Sequence, residues 1–102
     1  DLKASPEVFD DLTTISANLP HPRATVTLYV YDRRGRLQRR LLDGVEVGAS
    51  IAVSWDGRDE GHRVVRPGIY TLFMEIVGQN GGVEHARSQV VYAKGLKKKK
   101  MG

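Results

Sequence analysis

Five arginines, Arg33, Arg34, Arg36, Arg39 and Arg40, fall within eight residues, and Lys97, Lys98, Lys99 and Lys100 form a second basic run. Side chains of that kind and density could hold nucleic acid or another anionic polymer. Arginines on the solvent side of a strand also keep a sheet soluble and blunt its edge. The residues between these arginines lack the aromatic rings on which single-strand binders stack bases, so the solubility reading weighs more. The lysine run repels itself and reads as a basic tail over 97–102. The net charge of +4 therefore says less than its distribution.

Other chemistry is hard to assemble. The five serines include none in a glycine-flanked strand-to-helix elbow, the context that exposes a nucleophile. His21, His62 and His85 are too far apart to offer a paired metal-ligand spacing. There are no cysteines, which removes disulfides, thiol catalysis and cysteine-bound zinc together. The acidic segment Asp56-Gly57-Arg58-Asp59-Glu60-Gly61 is one place where calcium could be sought, and Asp10-Asp11 is another. Calcium loops need oxygen ligands at alternate positions and a closing bidentate carboxylate, which the first segment does not supply. Aspartates that bond their own turn explain it better. No cofactor, metal or catalytic residue is expected.

Period-two alternation dominates the elements that would carry these residues. Ala24 to Tyr31 places Val26, Leu28 and Val30 on one face, and Asp32-Arg33-Arg34-Gly35 then turns into a return strand over Arg36 to Leu42. Asp43-Gly44 opens a loop that reaches about Ala49, and Ser50 to Trp55 alternates again. Ile69 to Val77 and Val83 to Tyr92 flank the turn Gly78-Gln79-Asn80-Gly81-Gly82, and Thr13 to Leu19 reads as the first strand. About seven short strands at such spacing predict an all-β antiparallel sandwich, one domain over 1–96 in a chain of 102 residues. Trp55, Tyr70, Leu28 and Val53 are its expected core anchors. No apolar run reaches the roughly 18 residues of a membrane-crossing helix.

Three landmarks occur in order: Val30-Tyr31-Asp32-Arg33-Arg34-Gly35-Arg36-Leu37, Val53-Ser54-Trp55-Asp56-Gly57-Arg58-Asp59 and Pro67-Gly68-Ile69-Tyr70. Together they resemble the immunoglobulin-like domain of flagellar hook-capping proteins and of the C-terminal modules of many secreted bacterial proteins. Ser5-Pro6-Glu7-Val8-Phe9 and Val90-Val91-Tyr92-Ala93-Lys94 look like the terminal modules of large surface proteins. The resemblance implies a non-catalytic role in type IX sorting, attachment or spacing at the cell surface. It implies a protein partner, such as secretion or attachment machinery or neighbouring domains of a parent chain, and no small-molecule substrate. A structural subunit that self-associates through sheet edges is the alternative, and an anionic-polymer binder comes after it. Relatives often continue with an acidic glycine loop suited to calcium. Here Phe9 passes directly to Asp10-Asp11-Leu12, so calcium is not carried over.

Overall fold

The computed structural model describes residues 1–95, so the lysine run lies outside the described residues. Eight strands occur: β1 (Lys3–Ser5), β2 (Val8–Phe9), β3 (Thr13–Asn18), β4 (Ala24–Tyr31), β5 (Leu37–Val47), β6 (Ser50–Trp55), β7 (Gly68–Gly78) and β8 (Val83–Tyr92). They form a three-stranded sheet in the order β1-β3-β6 and a five-stranded sheet in the order β2-β8-β7-β4-β5. The fold is an all-β sandwich.

Alternation decides what is buried. Every second residue of β4 faces inward, and Val26, Leu28 and Val30 have no accessible surface. β7 repeats the pattern with Tyr70, Leu72, Met74 and Ile76, while β3 contributes Ile15 and Ala17. Trp55, Phe9, Tyr70 and Tyr92 close one end, with Trp55 lying 5.4 Å from Phe9 and 5.6 Å from Tyr70 between ring centroids. Such tilted and edge-on contacts suit the quadrupoles of the rings. Val53 is only half-buried and packs against the margin of this core.

Two features depart from the alternation. The stretch expected as a loop after Asp43 is strand, because β5 continues to Val47 opposite Ala24. Register shifts along the β4–β5 ladder let Gly44, at a φ of 63°, remain within it. The second departure is a parallel pairing in a sandwich expected to be antiparallel. β2 runs beside β8, and the N–H groups of Val91 and Ala93 donate to the carbonyls of Glu7 and Phe9 at 2.8 Å.

One turn is used three times. At Asp32–Arg36, Asp59–Arg63 and Gly78–Gly82 the first residue's N–H donates to the fifth residue's carbonyl, and the fourth residue's N–H donates back to the first. The fourth position must be left-handed, and it holds Gly35, His62 and Gly81 at φ of 79°, 66° and 88°. Only His62 has a Cβ to strain there. His62→Gly should therefore stabilise the fold by about 0.5–1 kcal/mol, less than the full left-handed penalty because glycine loosens the unfolded chain. A rise in thermal midpoint checks this, and an unchanged or lower midpoint counts against strain at the site.

Candidate functional site: the basic hairpin and the sheet edges

Asp32 organises the hairpin that carries the arginines. Its Oδ1 accepts the N–H groups of Arg34 and Arg36 at 2.9 Å each, and its Oδ2 accepts Nε of Arg36 at 2.9 Å. The N–H of Arg36, above all, holds this carboxyl below the usual value of 3.8, against an opposing effect of burial. Asp59 does the same in its own turn, where its Oδ1 accepts the N–H groups of Arg63 and Gly61. Its carboxyl is likewise lowered, first by the N–H of Arg63. Both groups bind protons more weakly folded than unfolded. The stability they supply is complete above about pH 3.8 and drains as pH falls through their lowered values. Acid should loosen both turns in that window, as read from the amide resonances of Arg36 and Arg63. Asp32→Asn with Asp59→Asn should flatten the response, and an unchanged response would refute this assignment.

The structure divides the five arginines. Arg39 lies opposite the buried Val30 and turns inward, and its Nη1 reaches Asp56 Oδ1 at 3.2 Å and the Arg58 carbonyl at 3.1 Å. Arg40 lies over the Tyr29 ring, 5.5 Å from its centroid. Arg36 is paired with Asp32. Arg33 and Arg34 make no ion pair among the described residues and remain exposed at the tip. Two arginines from elsewhere in the sequence join them. Arg66 shares with Arg33, Arg34 and Arg36 an open pocket of about 440 Å³, and Arg87 shares with Arg33, Tyr31 and Phe73 a shallower one of about 400 Å³.

Aromatic rings missing from the arginine segment therefore come from neighbouring strands. Tyr31, Tyr29, Phe73 and His85 form a ladder across the outer face of the larger sheet, with centroid spacings of 5.7, 6.1 and 5.0 Å from one ring to the next. Arg87 covers Phe73 at 5.4 Å. The spacing along the chain hid this, because Tyr29 meets Phe73 only through the β4–β7 register.

The residues considered for metal binding are dispersed. Among the described residues no group of three His, Cys, Asp or Glu side chains comes together. His21 bonds Glu84 at 3.1 Å, His62 occupies its turn, and His85 stacks on Phe73. Asp56 Oδ1 accepts the N–H of Arg58 within its own turn, and Asp10 and Asp11 lie between β2 and β3. Tyr70 donates its hydroxyl to the Arg66 carbonyl, and burial chiefly raises its pKa.

Sheet edges are the remaining sites where polar groups face outward. Glu60 closes part of the β5 edge: its N–H donates to the Gln38 carbonyl at 2.9 Å, and its Oε2 accepts the N–H of Arg40 at 2.7 Å. β2 covers β8 only at Val91 and Tyr92. β6 has β3 on one side and no strand on the other among the described residues.

No family model matches the chain, and no curated protein matches it significantly. Solved structures do. The chain is similar to FlgD from P. aeruginosa at 26% identity and a TM-score of 0.64, over 79% of this chain and 61% of that one. It is similar to CopC from Methylosinus trichosporium OB3b at 14% identity and a TM-score of 0.53, over 91% of this chain and 92% of that one. The second likeness speaks for the fold alone, and the chain spans less than two thirds of the FlgD structure. Both neighbours are β-sandwich domains, and this chain shares their immunoglobulin-like kind of fold.

Proposed function

We propose that this chain is a non-catalytic assembly module, one that joins protein subunits outside the cytoplasm in the manner of a hook-capping domain. The likeness to FlgD over 79% of the chain carries the reading. The side chains agree with it. Asp32, Asp56 and Asp59 accept hydrogen bonds from their own turns, and Glu60 guards an edge. The comparisons favour this role over the terminal sorting or spacer role that the landmarks implied.

Sedimentation velocity on the purified chain, from micromolar to roughly 1 mM, tests it, since even a weak contact of about 4 kcal/mol is populated there. A reversible species of defined stoichiometry is the expected result. A strict monomer throughout would remove self-assembly.

A second reading rests on the rings beside the free arginines. Arg33, Arg34, Arg66 and Arg87 surround a surface that contains Tyr31 and Phe73, a composition suited to an anionic polymer. It requires binding to single-stranded DNA or polyglutamate that weakens steeply with salt. No binding at low salt would dispose of it.

A further inference from the structure

We infer that β6 is the edge at which two copies of this chain join, antiparallel about a two-fold axis through Ala52. The inference rests on the assembly reading and names its contact. Natural sheets guard their edges with charge, proline, bulges or shortness. Here β1 and β2 are short, β5 carries register shifts and the Glu60 cover, and the uncovered part of β8 contains Glu84, His85 and Arg87. β6 has none of these. Its sequence Ser-Ile-Ala-Val-Ser-Trp holds no charge and no proline, and its register with β3 runs from Thr13↔Trp55 to Asn18↔Ser50 without a shift.

The ladder fixes which groups are free. The N–H of Leu19 donates to the Ala49 carbonyl at 2.8 Å, continuing the β3–β6 register, so Ile51, Val53 and Trp55 direct their main-chain groups to β3. Ser50, Ala52 and Ser54 direct theirs outward. That set is self-complementary. With the axis at Ala52, Ser50 meets the second copy's Ser54 and Ala52 meets its own equivalent, each pair exchanging both hydrogen bonds. Ile51 then stands across from the second copy's Val53 on the inner face. The outer face presents only serine and alanine.

A second observation points to the same place. The larger sheet carries β5 at the side where the smaller sheet ends with β6, and the two strands are joined through Gly48-Ala49. Val45 lies opposite the fully buried Val26, hence on the inner face, yet is 41% exposed. A strand added beyond β6 would cover this shelf.

The full chain offers a clean test because it contains no cysteine. Ala52→Cys should give a disulfide-linked dimer on mild oxidation, since residues so paired have Cα atoms about 5.5 Å apart, within the roughly 4.4–6.8 Å that a disulfide spans. Arg87→Cys on the β8 edge should not. Ala52→Lys puts like charges on the axis at an exposed position, and should weaken dimerisation about tenfold or more with the circular dichroism unchanged. A dimer that persists in Ala52→Lys, with no cross-link in Ala52→Cys, would overturn the β6 contact and leave assembly to another edge. A wild-type chain that stays monomeric overturns both.

Discussion

Truncating Trp55 to alanine is expected to cost about 3–5 kcal/mol, a large part of the 5–15 kcal/mol that holds a domain of this size together. Only 1% of this residue's surface is accessible, and it touches Phe9 and Tyr70. Its Nε1 donates to the Arg58 carbonyl at 3.0 Å, which ties β6 to the segment that ends by covering the β5 edge. Trp55→Phe should keep most of the packing and lose about 0.5–1.5 kcal/mol, the net worth of one hydrogen bond, because Arg39 Nη1 still donates to the Arg58 carbonyl. Urea unfolding followed by far-ultraviolet circular dichroism measures both, because the variants remove the sole tryptophan. A Trp55→Ala midpoint close to wild type would contradict the placement of the aromatic cluster at the core.

Phe9→Ala should be nearly as damaging, at about 3–5 kcal/mol, although it lies in a strand of two residues. The Phe9 ring sits 5.4 Å from both Trp55 and Tyr92, so it joins β6 of one sheet to β8 of the other. Its loss should also free the segment before it. The N–H groups of Val91 and Ala93, which donate to Glu7 and Phe9, should then exchange faster than in the wild type. Gly57 belongs to the same cluster, since at a φ of 74° a Cβ would stand 3.0 Å from the Tyr92 ring. Equal protection of Val91 and Ala93 in wild type and variant would show that β2 contributes little.

These two residues mark the boundary of what the sequence makes legible. Ala24–Tyr31, Ser50–Trp55 and Val83–Tyr92 can be read to the residue, because each alternates over its whole length and ends at turn chemistry. β2 has no length over which to alternate, and its hydrogen bonds come from a strand more than seventy residues away. β5 misleads for the opposite reason. Asp43-Gly44 has turn composition, but register shifts absorb it and the ladder with β4 continues.

The partner surfaces show the same division. The arginines are visible as a run, yet their neighbours are set by register. Arg39 turns inward because it lies opposite Val30, while Arg66 and Arg87 reach the hairpin from β7's approach and from β8. An unguarded edge is equally invisible along the chain. β6 looks like any short apolar strand until the strand order shows that one of its sides has no neighbour among the described residues.

The most direct test of the assembly account is amide hydrogen exchange at Ala52 and Ser54 as a function of protein concentration. In the separated chain these N–H groups face solvent and should exchange rapidly. Protection that grows with concentration, while Ile51 and Val53 stay protected throughout, is the predicted result. Fast exchange at Ala52 and Ser54 at every concentration, together with no gain of protection along β8, would contradict it.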